Sequence, residues 1–377
     1  MRKAFICPTK YVQGENEIEN LGYFVSTFGT SALLIAHPAD QERVADKLRF
    51  TAEKFGITFV DGSFSGECSR SEVQRLKQLA AEQHCSCTVG LGGGKAIDTA
   101  KCVAEGEAMI AVPTIAATDA STSHSAVLYT DDGAFDDYAY FKASPSVVLA
   151  DLTCIANAPT RFLVSGMADA MATWFEARAS ATACANVNAG LPCGAREGSC
   201  PGAKGTKAAL ALAKLCYETL LEDGLKAKIA CDHHVVTPAL ENIVEANILL
   251  SGLGFESAGL AAAHAIHDGL SILPGTHHFF HGEKVSFGTV AQLVLENASR
   301  EEIDTVMHFN LSLGLPVCLE DIGVTEISEE ELREVARKSC IAEESIHFMP
   351  FPVTEEQVMN AIIAADQLGH AYKEGQI

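Results

Sequence analysis

The sequence predicts an α/β domain with a parallel sheet, followed by an all-helical domain. Over the first 150 residues, short β-branched or apolar runs alternate with helical patterns, which is typical of parallel α/β architecture. Beyond about residue 155 the strand pattern fades, and segments with helical spacing continue to the end. A length of 377 residues suits two domains. We therefore expect an α/β domain at 1–155 and a helical domain at 156–377.

The predicted elements of the first domain alternate along the chain. Apolar runs predict strands at 31–37, 57–62, 86–94 (ending in glycines), 108–114 and 146–152. Helical periods predict helices at 41–56, 69–84 and 95–106, the second of them capped by Ser69. Residues 125–141 alternate on both sides of a DDG sequence, which predicts a β-hairpin.

The second domain shows helical spacing without strand signals. Helices are predicted at 161–180, 205–224, 233–254, 283–298 and 355–372. No repeat at a solenoid period is present in the sequence.

Charge and hydropathy argue against several classes of partner. The formal net charge is −22, and no Lys/Arg-rich run interrupts the acidity. Such a surface would repel nucleic acid and anionic membranes. The sequence has neither a signal-like apolar stretch near residue 1 nor eighteen consecutive apolar residues. We expect a cytoplasmic protein with neither nucleic acid nor membrane as a partner.

The thirteen cysteines form no dense framework, so most are expected to be free thiols. Cys184, Cys193 and Cys200 lie close together and could form a small metal site or a redox loop. Their spacing lacks a CxxC pair, which favours a flexible loop that is rich in cysteine.

A glycine-rich turn, GLGGGKAIDTAK (90–101), follows a predicted strand and opens a predicted helix. Gly92, Gly93, Gly94 and Lys95 would let backbone amides approach a diphosphate at the helix N-terminus. The string matches neither GxGxxG nor GxxxxGK[ST], so a tight turn without a ligand explains it equally well.

A second segment, TIAATDASTSHS (114–125), favours the nucleotide site. It follows the next predicted strand, and adjacent strand ends of a parallel sheet share one ligand crevice. Thr114, Ser123 and Ser125 could line a nucleotide there. Asp119 could hold substrate hydroxyls, or it could be a turn residue or a cap.

Five of the thirteen histidines lie in HAIHDGLSILPGTHHFFHGEK (264–284). His264 and His267 are three residues apart and share a helix face. Catalytic zinc and iron(II) sites use three protein ligands from His, Asp and Glu and leave one position open. His281 and Asp169 complete such a set, although an Asp near a helix N-terminus has a simpler explanation. The remaining two histidines, His277 and His278, could be solvated or could support the ligands.

These motifs resemble, in order, those of the glycerol dehydrogenase family within the iron-containing (group III) alcohol dehydrogenases. The motifs are GLGGGKAIDTAK, VPTIAATDASTS, GMADAMATWFEARA, GFESAGLAAAHAIHDGL and HGEKVSFGT. The resemblance runs from PTKYVQG (8–14) to the last predicted helix. It implies a dehydroquinate synthase-like fold, with a dinucleotide-binding α/β domain, a helical domain and zinc in the cleft between them.

The resemblance also implies roles for particular residues. Zinc would be held by Asp169, His264 and His281. Asp119 would contact glycerol, and His267, near the nicotinamide, would orient the site or relay a proton. The positions that match the cofactor-binding loops are Gly92, Gly93, Gly94, Lys95, Ala96, Thr114, Ile115, Ala116, Ala117, Ser123, Ser125 and Tyr129.

Two features depart from the family pattern. His37 stands where the family usually has an aspartate that binds the adenosine ribose. A carboxylate would repel a 2′-phosphate and histidine would not, so NADP is a candidate beside NAD. An apparent insertion at 181–205 is the second departure.

The resemblance implies zinc-dependent oxidation of glycerol, or of a related vicinal diol, to dihydroxyacetone, with hydride transfer to NAD. Few basic residues other than Lys95 and Lys284 flank the motifs, which argues against anionic substrates and against a lyase like 3-dehydroquinate synthase. A related dehydrogenase that uses NADP is also a candidate, as is a non-catalytic binding protein, which would have lost the metal set. The family further implies a homo-oligomer, with an octamer as the expected form.

Overall fold

The structure, a computed structural model, describes residues 1–190 and 202–376. The strands within these residues are β1 (Lys10–Gly14), β2 (Ser31–Ala36), β3 (Thr58–Asp61), β4 (Cys87–Gly92), β5 (Met109–Pro113), β6 (Ser125–Tyr129), β7 (Phe135–Tyr140) and β8 (Val147–Asp151). Six of them form a parallel sheet in the order β1-β8-β5-β4-β2-β3, and β6 and β7 form a separate antiparallel hairpin. The predicted α/β architecture with a helical second part is confirmed.

The five strands predicted for the sheet and the hairpin are confirmed within a few residues. The sequence does not predict β1, because KYVQG lacks the apolar run of a buried strand. Within the described residues this strand pairs with β8 alone, at the edge of the sheet, where one side needs no burial.

The helices are α1 (Leu21–Ser26), α2 (Pro38–Arg43), α3 (Ala45–Phe55), α4 (Arg70–Glu82), α5 (Gly94–Ala104), α6 (Leu152–Ala156), α7 (Thr160–Ala183), α8 (Lys207–Asp232), α9 (Pro238–Glu245), α10 (Ser251–Ala258), α11 (Ala262–Leu270), α12 (His281–Leu295), α13 (Arg300–Leu313), α14 (Glu329–Ser339) and α15 (Glu355–Lys373). A π-helical segment, Ala246–Leu250, joins α9 to α10.

The single helix predicted at 41–56 is wrong in its extent. It is two helices, α2 and α3, interrupted at Val44, and α2 begins earlier than predicted. Pro38 explains the early start, because its fixed φ suits the first position of a helix. The Ser69 cap is confirmed, since its Oγ accepts a hydrogen bond from the Glu72 amide at 3.3 Å.

Buried apolar side chains connect the sheet with the C-terminal helices. Leu33 of β2 belongs to the largest cluster, together with Phe175 of α7 and Phe287 of α12. Its neighbour Leu34 belongs to a second cluster, because successive side chains of a strand point to opposite faces. One face of the sheet therefore continues into the helical core.

Across residues 1–190 and 202–376, no single helix has both the length and the hydropathy of a membrane span. Two helical stretches, Pro238–Ala258 and Ala262–Leu270, meet the length and composition of a membrane span only when taken together, and they are bent by 102° relative to each other.

The eleven cysteines in the described ranges are all free, Cys184 among them. Its predicted partners in a cysteine-rich loop, Cys193 and Cys200, lie outside the described residues.

Candidate active site

Two histidines and an aspartate, predicted as a metal site, come together where three helices meet. Asp169 lies inside α7, His264 is near the start of α11, and His281 is the first residue of α12. The Nε2 atoms of His264 and His281 lie 3.2 Å and 3.3 Å from Asp169 Oδ1. Ligand atoms of all three lie within 4.8 Å of one another. Because Asp169 lies beyond the first turn of α7, the simpler role at a helix N-terminus is wrong.

A close contact between α12 and α7 brings His281 to Asp169. A Cβ atom on Gly282 would lie only 1.8 Å from the Ser165 carbonyl oxygen of α7. A larger residue at 282 would push the start of α12, and His281 with it, away from α7. The glycine in HGEK therefore has a geometric role beside the histidine.

Glu176 holds the His264 ring from the side opposite Asp169. It lies two turns after Asp169 on the same face of α7 and is fully buried. Its Oε2 lies 2.6 Å from His264 Nδ1, and its Oε1 accepts the Ala261 and His264 amides at 2.9 Å and 3.0 Å. With Nδ1–H donated to Glu176, Nε2 keeps the lone pair that a metal ligand needs.

The charges of this cluster favour a cation. Burial opposes the charged form of His264, but Glu176 and Asp169 outweigh it and raise the pKa of His264 well above its usual value. Burial likewise opposes ionisation of Asp169, yet His281 and His264 hold the pKa of Asp169 below its usual value. Without a metal, the carboxylates thus draw a proton to this position. A divalent cation with His and Asp ligands fits the same charge and donor set.

His267 lies behind His281 rather than beside Asp169. Its Nδ1 lies 2.9 Å from Asp268 Oδ1, and its Nε2 lies 3.2 Å from His281 Nδ1. Burial and then the His281 charge lower the pKa of His267 to about 3, so its ring is neutral. The neutral ring can donate to Asp268 and accept from His281, which leaves His281 Nε2 available as a ligand.

Asp119 lies on the loop between β5 and β6 and faces the metal cluster. Ser251 Oγ donates to Asp119 Oδ2 at 2.5 Å, and Thr173 Oγ1 lies 3.0 Å from the same Ser251 oxygen. Loss of water and then the Asp169 charge raise the pKa of Asp119 to about 8. Asp119 is therefore an oriented carboxyl group close to the cluster but outside its three donors.

The glycine loop forms the junction between β4 and α5. Gly92 ends the strand, Gly93 is the N-cap, and Gly94 opens the helix. The first amides of α5, including those of Lys95 and Ala96, have no acceptor within the helix. A Cβ atom on Gly94 would meet nothing closer than 3.7 Å, an ordinary contact distance, and Gly93 and Gly94 are partly exposed. An anion can approach the helix N-terminus there.

The loop after β5 packs against the helical part. Thr114 Oγ1 donates to Asp40 Oδ1 at 3.1 Å, and the Asn247 side-chain amide donates to the Ala116 carbonyl at 2.9 Å. Ala116 and Ala117 are buried, while Ile115 is partly exposed. Asn247 belongs to the π-helical segment, a feature that often marks functional sites.

Lys95 and Tyr129 meet beside the glycine loop. Lys95 Nζ lies 2.6 Å from Glu67 Oε1 and 4.9 Å from the centre of the Tyr129 ring. Burial and nearby acids raise the pKa of Tyr129 to about 12. Lys95 therefore carries its own counter-charge, which reduces its capacity to bind a phosphate.

The sequence does not predict the buried polar residues Lys101, His124 and Glu256 near the hairpin. Lys101 Nζ donates to Ser123 Oγ at 2.8 Å and to the Ser125 carbonyl at 2.7 Å. His124, between them, makes a buried contact with Glu256 of α10. Ser123 and Ser125 are thus part of the contact between the loop and the helices. The sequence signal that could have found Lys101 and Glu256 is a charged residue within a largely apolar helix, α5 for Lys101 and α10 for Glu256.

His37 lies at the end of β2, which neighbours β4 in the sheet. It is exposed and caps α2, its Nδ1 accepting the Ala39 amide at 3.3 Å. Asp40 of α2 is paired with Arg43 at 3.0 Å. His277 and His278 are exposed and contribute no donor to the Asp169 cluster.

The fold and the two-histidine, one-carboxylate cluster define the class of metal-dependent alcohol dehydrogenases. Residues 8–152 match the family described as iron-containing alcohol dehydrogenase. The chain is 46% identical to a glycerol dehydrogenase of Pseudomonas putida over 99% of this chain and 100% of that protein. It is 42% identical to a glycolaldehyde reductase of Halobacterium salinarum, with the same coverage. The crystal structure of glycerol dehydrogenase from Schizosaccharomyces pombe superposes with a TM-score of 0.92 at 35% identity, covering 99% of this chain and 93% of that one.

The chain therefore belongs to the glycerol dehydrogenase family of the iron-containing alcohol dehydrogenases, and it is an oxidoreductase.

Proposed function

We propose that this chain oxidises glycerol, or a related vicinal diol, to the corresponding hydroxyketone, dihydroxyacetone in the case of glycerol, with NAD as acceptor and zinc as the metal. The observation that carries the proposal is the Asp169, His264 and His281 cluster with the carboxyl group of Asp119 close to it. Two histidines and a carboxylate form a set that catalytic zinc uses. A diol has two neighbouring oxygens for the metal and Asp119 to hold.

Each residue near the metal cluster has a role that follows from its position. When bound, zinc lowers the pKa of an alcohol that it contacts, and nicotinamide accepts the hydride. Asp119, oriented by Ser251, accepts a hydrogen bond from a substrate hydroxyl and so selects one orientation of the polyol. His267 has both ring nitrogens engaged, one with Asp268 and one with His281, so we assign it to holding His281 in its orientation.

The cofactor would lie across the ends of β4 and β5. The α5 N-terminus at Gly92 to Ala96 would bind the diphosphate, and the loop Thr114 to Ala117 would cover the nucleotide. NAD is the proposed cofactor because the family resemblance implies it; Asp40, beside Gly92, is already paired with Arg43. His37 adds no carboxylate to repel a 2′-phosphate, so the assay must compare NADP with NAD.

The test is absorbance of reduced nicotinamide after protein, zinc, glycerol and NAD are mixed. Net reduction supports the dehydrogenase and is incompatible with a lyase that regenerates its cofactor or with an inert binder. NADP, 1,2-propanediol and 2,3-butanediol are compared in parallel. His281→Ala should abolish turnover and His278→Ala, a neighbouring exposed histidine, should not; equal activity in both would refute the metal assignment.

A second candidate is the reduction of a small hydroxyaldehyde. The 42% identity with a glycolaldehyde reductase favours it, because the same site would run in the opposite direction. Oxidation of reduced cofactor with glycolaldehyde, compared by kcat/KM with glycerol oxidation, separates the two.

We further propose that the chain forms a homo-oligomer through α8, with an octamer as the expected form. The outer face of this helix exposes four large apolar side chains at 40–51%: Leu215, Leu221, Leu225 and Ile229. Such a stripe on one helix is typical of a surface covered by a second copy. Leu225→Glu should lower the mass found by light scattering, whereas Leu311→Glu on α13 should not. We also propose the division into domains at 1–155 and 156–377.

A further inference from the structure

Three potential metal ligands meet where the C-terminal helix contacts the loop after α13. They are Cys318 of the loop and Asp366 and His370 of α15, and their ligand atoms lie within 4.8 Å of one another. His370 Nε2 lies 3.7 Å from Asp366 Oδ1. None of the residues assigned to the active site belongs to this group.

The backbone holds the loop tightly against α15. A Cβ atom on Gly369 would lie 2.1 Å from the Val317 carbonyl oxygen, so only glycine permits this approach. The Leu319 amide donates to Asp366 Oδ1 at 2.8 Å. Both neighbours of Cys318 are thereby fixed to the helix face that carries Asp366 and His370, which are one turn apart.

A lysine and an aspartate lie beside the Cys318 sulfur. Lys373 Nζ lies 3.6 Å from Cys318 Sγ and 2.6 Å from Asp321 Oδ1. Burial raises the pKa of the Cys318 thiol, and the Lys373 ammonium group, which Asp321 also holds, opposes that shift without reversing it. Cys318 is fully buried, whereas the His370 side chain is about one-third exposed, so a cation can enter from the histidine side.

We propose that Cys318, Asp366 and His370 bind a zinc-class cation at a second site, distinct from the catalytic cluster. A thiolate, an imidazole and a carboxylate are ligands that zinc accepts and that magnesium and calcium do not prefer as a set. Tetrahedral zinc separates its ligand atoms by roughly 3.4–3.6 Å, close to the Asp366–His370 distance. On binding, the Cys318 thiol releases its proton to solvent, and the cation joins the loop to the C-terminal helix.

Cobalt(II) titration of the metal-free full-length protein tests the proposal. The catalytic cluster contains no sulfur, so a sulfur-to-cobalt charge-transfer band reports a cysteine ligand. We expect this band, with two cobalt ions bound per chain. Cys318→Ser should remove the band and one ion, while Cys340→Ser, a cysteine outside the cluster, should keep both. Absence of the band at excess cobalt, or its full intensity in Cys318→Ser, would overturn the proposal.

A second variant covers the case in which Cys318→Ser disturbs the buried core. His370→Ala removes a partly exposed ligand, so the fold should persist. We expect at least a tenfold weaker cobalt affinity by the charge-transfer band, with dehydrogenase activity in excess zinc unchanged. An unchanged affinity contradicts the site. One ion per chain with the band present supports this site and counts instead against the catalytic metal cluster.

Discussion

Replacing Glu176 with Gln should weaken zinc binding without removing any proposed ligand. Glu176 accepts the His264 Nδ1 proton at 2.6 Å and two backbone amides through its other oxygen. A glutamine can keep the amide contacts with its oxygen, but its NH₂ group then faces His264 Nδ1. That nitrogen must become the acceptor, so the ring proton moves to Nε2 and occupies the lone pair that would bind the metal.

The magnitude follows from the position of Glu176 next to a ligand. Loss of such an outer partner typically weakens metal binding by roughly 10- to 100-fold. That range corresponds to about 1.4–2.7 kcal/mol of binding free energy. Glu176 is fully buried and uses both oxygens, which favours the upper half of the range.

The assay is zinc competition against a chromophoric chelator, with native and variant protein at the same pH. Glu296→Gln is the matched control, since Glu296 also contacts α7, through Arg178 at 3.0 Å, but touches no proposed ligand. Circular dichroism should show both variants folded. Equal zinc affinity of native protein and Glu176→Gln would refute the tautomer argument.

Four further results are expected. Asp268→Asn should weaken zinc binding roughly tenfold in the same competition assay, because Asp268 orients His267 and His267 orients His281. An unchanged zinc affinity would mean that this chain of hydrogen bonds does not support the metal ligand. Asp119→Asn should lower kcat/KM for glycerol by roughly tenfold, the size expected for the loss of one hydrogen bond, at constant zinc affinity; a parallel loss of zinc would contradict its role toward substrate. Chelator dialysis should abolish turnover, zinc should restore it, and failure of restoration in protein that remains folded by circular dichroism would count against a metal-dependent reaction. The hydrogen bond from Lys226 lowers the pKa of Asp223, so its stabilisation is present above the unfolded pKa of about 3.9 and is lost as pH falls through the folded pKa. Urea unfolding of Asp223→Asn should show a deficit in the free energy of unfolding at pH 7 that persists to about pH 4 and narrows at lower pH, and a deficit independent of pH would contradict this assignment.

The sequence predicts the sheet well because its inner strands are buried on both sides. Strands such as β4 and β5 are continuous apolar runs, and such runs separate clearly from the amphipathic helices between them. Edge strand β1 has no such run, so its pairing with β8 depends on contacts far along the chain.

The candidate metal ligands can be predicted from the sequence more readily than the carboxylates that hydrogen-bond to the histidine rings. Asp169 and His281 interrupt small or apolar segments, so their residue type alone raises the possibility of a ligand. Glu176 and Asp268 act through the rotation of a neighbouring imidazole, and sequence spacing carries little information about which ring nitrogen a carboxylate faces. Glu176 has one usable signal, its two-turn spacing from Asp169 on a buried helix face.

The charge balance of the site connects metal choice with substrate choice. Asp119, Asp169 and Glu176 place three carboxyl groups around one small volume, and each alone would be costly to bury. A divalent cation offsets much of that charge. Two neutral histidine ligands, in place of two further carboxylates, keep the total charge of the site from becoming more negative. The remaining carboxyl group, Asp119, has a raised pKa of about 8 and provides a hydrogen-bond partner for a neutral substrate. A small polyol therefore suits the site because its hydroxyls satisfy Asp119 without adding charge.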